Sequence, residues 1–193
     1  MKIKDTEILL KTQFLNINAT EYEDTKGENK FWVWTQRPNG RKAVVIAAVV
    51  DKGFVEVQPK VYERDLRLVV IKEFRVPLAD YEFGFPAGLI EEDEDIVTAA
   101  NREFFEETGL KFKRVLRQSP FVYNSPGITD ESIAMVYVEC EGEISKKGLE
   151  ASEEIDTFLM TRSDVEALLK DKTLKFGAKF WIVAENFVRY NEI

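Results

Sequence analysis

The chain has no histidine and only one cysteine among its 193 residues. Without histidine, Ser-His-Asp and Cys-His nucleophilic catalysis are excluded, as are His-based zinc sites. The lone thiol, Cys140, has no partner for an intramolecular disulfide. It closes an apolar strand-like run and reads as a small core residue, not a nucleophile. No apolar run reaches membrane-spanning length, and the opening MKIKDTEILL is too polar for a signal peptide or an anchor. Cations are in deficit as well, since 27 Lys and Arg against 35 Asp and Glu leave a formal net charge of −8. This argues against a nucleic-acid binder that works by neutralising phosphates. It suits a protein that recruits an anionic small molecule through divalent cations. The expectation is a cytoplasmic enzyme with no nucleic acid and no membrane as partner.

A hydrophobic content of 45% is enough for one good core. The chain shows no repeat and no low-complexity stretch. Residues 7–22 and 31–35 read as N-terminal strands, and the turn Pro38-Asn39-Gly40 marks a subdomain boundary. This divides the chain into a small β-strand appendage over residues 1–40 and a main domain over 41–193. Runs rich in β-branched residues at 42–50 and 67–75 read as central strands. Further strands are expected near 119–124, 132–140 and 155–160, with a helix over 94–108 between the two groups. Ser163, with Glu166 three residues on, fits the start of another helix. A last helix is expected over 176–190, with Phe180, Val183, Ala184, Phe187 and Val188 as its apolar stripe. Strands on both sides of a helix, with more helices at the end, give an α/β fold with a mixed sheet covered on both faces.

Residues 88–110, GLIEEDEDIVTAANREFFEETGL, carry the chemistry. On a helix, Glu103 and Glu107 project within about 40° of one another, and Glu106 lies about 60° from Glu103. Three carboxylates therefore crowd one sector, while Val97, Ala100 and Phe104 form the adjacent face that packs on the body. Arg102 can reach back to Glu94 and forward to Glu106. Carboxylates this close repel one another and raise each other's pKa unless a cation lies between them. Hard oxygen ligands of this kind suit Mg²⁺ or Mn²⁺. Gly109 is placed to end the helix in a left-handed turn, with Leu110 folding back to make the apolar contact. A solvated acidic helix would explain the acids, but not the register of Gly88, Arg102 and Gly109 with them.

The segment fits G-x5-E-x7-R-E-U-x-E-E-x-G-U, where U is a bulky aliphatic residue. Gly88, Glu94, Arg102, Glu103, Glu106, Glu107, Gly109 and Leu110 stand in the fixed places, and Phe104 replaces the usual aliphatic residue. This resembles the Nudix box of hydrolases that cleave nucleoside diphosphates linked to another moiety. The resemblance implies an α/β/α sandwich over about residues 40–193. It also implies Mg²⁺ held by Glu103, Glu107 and the carbonyl of Ala87, with Glu106 in or beside that shell. Gly88, Glu94, Arg102 and Gly109 would be structural.

Three further features resemble the ADP-ribose and nucleoside-diphosphate-sugar pyrophosphatases. Pro126 lies 16 residues beyond Leu110, within Ser125-Pro126-Gly127-Ile128-Thr129-Asp130-Glu131. Ser125, Gly127 and Glu131 would then contact substrate, although a Pro-Gly turn is common in any protein. Glu73-Phe74-Arg75 resembles a Q-[YF]-R element, with Glu73 in place of the glutamine, and would bring Arg75 to the diphosphate or the terminal ribose. Phe85-Pro86-Ala87-Gly88 resembles the family's lead-in to the box. In such enzymes N-terminal strands cross to a second subunit, so a homodimer is expected, with Trp32 or Trp34 stacking on the base. The family's general base comes from a mobile loop between the last strands. Residues 142–154 stand in that place here, with Glu153 as first choice, Glu150 second and Glu131 next. The implied activity is hydrolysis of ADP-ribose or a related nucleoside diphosphate sugar. The alternatives are hydrolysis of capped RNA or a dinucleoside polyphosphate, and a non-catalytic ADP-ribose sensor.

Overall fold

The computed structural model describes residues 1–193. The main sheet is mixed. Its central strand β4 (Ala43–Gln58) pairs antiparallel with β5 (Val61–Arg75) and parallel with β10 (Ser132–Glu141). Outward from β5 lie β6 (Asp80–Gly84) and β12 (Lys175–Phe176), with β11 (Ile155–Met160) also on β5. Outward from β10 lies β8 (Lys111–Gln118), with β9 (Val122–Tyr123) also on β10, while β7 (Ala87–Leu89) pairs with β4. Helix α1 (Ile96–Thr108) packs on one face, and α2 (Arg162–Lys170) and α3 (Ala178–Tyr190) on the other.

Both faces of β4 are buried, so its residues alternate between two cores. Val44, Ile46, Ala48 and Val50 join Ala99, Ala100 and Phe104 of α1. Val45, Ala47 and Val49 join Val165 of α2 and Phe180, Val183, Ala184 and Phe187 of α3. A strand buried on both faces reads as a continuous apolar run, which is what residues 43–50 are. Cys140 lies in the α1 core, where burial pushes its thiol up to about 12, consistent with a packing role.

A separate antiparallel sheet is formed by β1 (Lys2–Lys11), β2 (Asn16–Glu23) and β3 (Asn29–Gln36). A short 3-10 turn, Pro38–Gly40, connects it to β4. One face of β2 buries polar residues, Asn16, Asn18 and Thr20, and Trp34 Nε1 donates to Thr20 Oγ1 at 2.8 Å. The sheet is fastened to the body by the 125–131 segment. Trp32 Nε1 donates to the Gly127 carbonyl at 3.0 Å, and the Thr35 N–H to the Ile128 carbonyl at 2.8 Å. No helix is long and apolar enough to cross a membrane.

Several expected elements shift. The central strands extend into a long hairpin through Gln58 and Val61, with Lys60 at φ 64 in its turn. The strand expected at 119–124 shrinks to Val122–Tyr123, and the principal strand is β8 just before it. Its sequence KFKRVLRQ hid it, because an outer strand with exposed cations lacks an apolar face to read. Helix α2 is capped by Thr161 with Asp164, not Ser163 with Glu166; Glu166 pairs with Lys170 instead. On α1, Ala99 takes the core position expected of Val97, which is only partly buried. Helix α3 starts at Ala178, two residues later than expected.

Candidate active site

Helix α1 starts at Asp95, whose carboxylate accepts the N–H groups of Val97 and Thr98 at 2.9 Å. It ends at Gly109, at φ 75, whose N–H donates to the Phe105 carbonyl at 2.8 Å. Between these stops Phe104 and the two alanines anchor one side in the core, so Glu103, Glu106 and Glu107 are carried towards β7. Gly88 of β7 lies directly under Glu103. A Cβ at that glycine would stand 2.0 Å from the Glu103 carboxyl carbon, so a side chain there would displace the Glu103 carboxylate.

Arg102 organises the acids. It binds Glu94 through Nε and Nη2, both at 2.8 Å, Glu103 at 2.8 Å and Glu106 at 3.2 Å. Nη2 also donates to the Leu89 carbonyl at 3.0 Å, tying α1 to β7. Glu107 has no such cation. It is 6% exposed, and its one donor is the Ala87 N–H at 3.3 Å. Burial first, then the charges of Glu73, Glu153 and Glu103, push its carboxyl up to about 9. Burial also raises Glu103, against the pull of Arg102. Glu73 is raised by burial in the same way, with Glu82 and Glu153 adding to it.

No three acidic side chains are arranged as a ready-made metal cage, because Arg102 draws Glu103 and Glu106 to itself. The donor set nevertheless fits a hard divalent cation. Glu107 is a desolvated carboxylate among other carboxylates, and a charged form in that place requires a cation beside it. The residues that would hold one are Glu103, Glu106, Glu107 and the backbone carbonyl of Ala87.

A cavity of about 260 Å³ gathers Glu103, Glu106 and Glu107 of α1 with Glu150 and Glu153 of the 142–154 segment. Arg41, Leu89 and Gly148 also line it. That segment was expected to be mobile and to close over substrate. In the structure it is docked on the end of α1, with the Ser145 N–H on the Thr108 carbonyl at 2.9 Å. A Cβ on Gly148 would lie 2.6 Å from the Glu106 carbonyl oxygen. Gly148→Ala therefore lifts the segment off the helix, and turnover should fall on the order of 10²-fold with only a small loss of melting temperature. Unchanged kcat would show that this docking does not set the position of Glu150 and Glu153. Glu154 is turned away, hydrogen-bonded to the Tyr81 hydroxyl.

Beyond Leu89 lies a second cavity of about 240 Å³, lined by Arg75, Glu131, Ala87 and Gly88 together with Arg37, Asn124, Glu82 and Lys179. Arg75 is bound to Glu73 at 2.7 Å and to Glu82 at 3.3 Å. Burial alone would raise Glu131, but Arg37 at 2.5 Å and Asn124 at 2.8 Å hold it below its usual value. Burial depresses Lys179, whose Nζ donates to Asn124 at 2.7 Å. Sequence reading had no signal for Arg37, Asn124 or Lys179. Ser125 and Gly127 line neither cavity: Ser125 accepts the Ile128 and Thr129 N–H groups in the turn, and Gly127 accepts from Trp32. Trp32 and Trp34 line neither cavity. A larger cavity, about 720 Å³, is adjacent and runs from Arg41 and Ile90 to Phe121. Its acids include Glu94 and Asp95, already committed to Arg102 and to the helix cap, so the smaller carboxylate cavity is the better candidate for chemistry.

A model of the NUDIX domain matches residues 59–180, which hold every box residue and both loop glutamates. The chain belongs to the Nudix family. Curated relatives include an ADP-ribose pyrophosphatase of Saccharomyces cerevisiae, 32% identical over 67% of this chain and 54% of that protein. An ADP-sugar pyrophosphatase of Mus musculus is 30% identical over 73% of this chain and 62% of its own length. The chain thus spans a little over half of the curated relatives it matches. A crystal structure of an ADP compounds hydrolase superposes with a TM-score of 0.69 over 97% of this chain and 91% of that one, at 21% identity. At that identity the likeness establishes the Nudix fold, including the N-terminal sheet.

Proposed function

We propose that this Nudix protein hydrolyses the diphosphate linkage of ADP-ribose or a related nucleoside diphosphate sugar, with Mg²⁺ or Mn²⁺ as cofactor. Water attacks one phosphorus, the bridging P–O bond breaks, and a nucleoside monophosphate and a sugar phosphate leave. The observation that carries this reading is the convergence of five glutamates, from α1 and from the 142–154 segment, on one cavity beside β7. The names of the relatives agree with it. When bound, the cation would neutralise charge developing on the diphosphate and lower the pKa of the attacking water. Glu103, Glu106, Glu107 and the Ala87 carbonyl hold it in this reading. Arg102 orients the helix, and Glu131 and Arg75 line the neighbouring cavity where the sugar and its hydroxyls lie.

Glu153 remains the first choice for the base. Its carboxylate accepts the Glu150 N–H at 2.9 Å, which fixes its direction, and its charge bears on Glu73, Glu103 and Glu107. Glu153→Gln should lower kcat by about 10²–10⁴-fold at saturating Mg²⁺, with KM nearly unchanged. Glu150→Gln should lower it less. Full turnover in both variants would pass the role to Glu131.

A homodimer forms through the N-terminal strands in this reading. Phe31 and Val33 are more than half exposed on one face of β3, and Ile3 and Leu9 are likewise exposed along β1, apolar side chains that a second copy would cover. Trp32, half exposed, is offered as the base platform ahead of the more enclosed Trp34. Light scattering on the purified chain measures the assembly, and a monomer at micromolar concentration rejects it. The activity is tested with a panel of ADP-ribose, ADP-glucose, GDP-mannose, capped RNA and a dinucleoside tetraphosphate, with and without Mg²⁺. Release of AMP from ADP-ribose is the expected result. Binding of ADP-ribose without release of AMP would make the chain a sensor.

A further inference from the structure

The cavity proposed for the sugar differs in charge from the rest of the cleft. It is lined by three cations, Arg37, Arg75 and Lys179, against two carboxylates, Glu82 and Glu131. In the carboxylate cavity glutamates far outnumber arginines, and the whole chain carries a net charge of −8. The two arginines of the sugar cavity are answered within the protein, Arg37 by Glu131 and Arg75 by Glu73 and Glu82. Lys179 is not. Its Nζ donates to a neutral acceptor, the Asn124 amide oxygen at 2.7 Å, and to no carboxylate. Asn124 Nδ2 donates in turn to one Glu131 oxygen at 2.8 Å, and Arg37 Nε to the other at 2.5 Å, so a hydrogen-bonded chain runs along this side of the cavity. The backbone of Lys179 is fixed as well. It lies in the first turn of α3, between Gly177, whose N–H donates to the Phe83 carbonyl at 3.0 Å, and the buried Phe180.

We infer that Lys179 selects, among nucleoside diphosphate sugars, those whose terminal sugar carries a carboxylate. This rests on the diphosphate-hydrolase reading above and names the substrate class of the same site. Sugar hydroxyls are served by Glu131 and Glu82, which accept from them, and a hydroxyl pairs with a donor without neutralising a charge. An ammonium half-buried beside a neutral acceptor keeps much of its desolvation cost. An anion brought next to it offsets that cost and gains a charge-assisted hydrogen bond. Burial holds the Lys179 amine below its usual value, and the nearby charges of Glu131 and Glu82 do not make up for it. The diphosphate does not fill this role, because the three glutamates proposed to hold its cation line the other cavity.

ADP-glucose and ADP-glucuronic acid test this as a matched pair, identical except for a carboxylate in place of the terminal hydroxymethyl group. Binding to the full chain is measured by calorimetry with Ca²⁺ in place of Mg²⁺, and kcat/KM with Mg²⁺. A charge-assisted hydrogen bond at Lys179 should make the uronate bind about 10- to 100-fold more tightly than the neutral sugar. Lys179→Met should abolish that ratio and Lys179→Arg should keep most of it. Lys170→Met, which removes the same charge from the exposed side of α2, should leave the ratio unchanged. Equal affinity for the two nucleotides in wild type would overturn the inference, as would a wild type that binds neither. So would a Lys179→Met chain that keeps the ratio, the result expected if Lys179 met the diphosphate and both nucleotides weakened alike. A wild type that prefers the uronate through Lys179 but cleaves neither nucleotide leaves the inference standing and removes the proposed activity. One that binds both equally and cleaves both with equal kcat/KM does the reverse.

Discussion

Glu107→Gln should lower turnover by about a thousandfold or more while raising the melting temperature of the metal-free protein at neutral pH. The first effect follows if the side chain holds the cation, because withdrawing a metal's several kcal/mol of charge stabilisation is about three powers of ten in rate. The second follows from burial. Glu107 ionises near 4.5 in an unfolded chain and near 9 in the folded one. Between those values folding takes up a proton, so the group's contribution to stability is complete below about pH 4.5 and is lost as pH climbs towards 9. Glutamine keeps the neutral shape and removes the loss. Melting curves from pH 5 to 9 in chelator should slope downward for wild type and less so for the variant, and Mg²⁺ should lift the wild type alone. Equal slopes with and without the carboxyl, or near-normal activity in Glu107→Gln, would remove Glu107 from the metal shell.

Arg102→Ala carries the largest expected cost in stability. It strips Glu94 of a two-pronged partner, leaves Glu103 and Glu106 facing each other, and frees the Leu89 carbonyl. Breaking a buried pair costs about 3–5 kcal/mol, and partial exposure of this cluster brings the expected figure to about 2–3 kcal/mol. For a chain of this size that is a fall in melting temperature of about 5–10 °C. Arg102→Lys should recover less than half, since an ammonium cannot bridge Glu94 with two N–H groups while reaching β7. Calorimetric melts decide it. Loss of substrate affinity at full stability would mean that Arg102 touches phosphate instead of organising the helix.

The box was legible because its constraints are local. Gly88, the acids of α1, Arg102 and Gly109 lie within two dozen residues, and helical geometry converts their spacing into directions. The central strand was legible for a similar reason, since a short continuous apolar run rich in β-branched residues, as at 43–50, reads as a strand buried on both faces. What failed depended on register between distant segments. Glu73 reaches Glu107 because β5 pairs with β11, setting Glu73 opposite Ile155. Arg37 and Glu131 meet only because the 125–131 segment docks on β3. The α2 cap was misplaced because Ser163-x-x-Glu166 and Thr161-x-x-Asp164 offer the same chemistry two residues apart. The docking of Gly148 on α1 had no sequence signature, because a glycine that permits close approach resembles one that permits flexibility.

The alternation along β4 also limits how this chain can change length. Removing one residue from within 44–50 would send every later side chain of that stretch to the opposite core, exchanging partners of α1 with partners of α3 in a single step. No smaller change leads there, so evolution by insertion or deletion is closed to this strand, although substitutions of like volume remain open. The far end of the same hairpin, where Phe54, Val57 and Tyr62 are exposed, feeds neither core. Growth or shortening by pairs of residues there leaves the carboxylate cavity untouched, so descendants of this protein should differ in length in that arm and keep the inner strand at constant length.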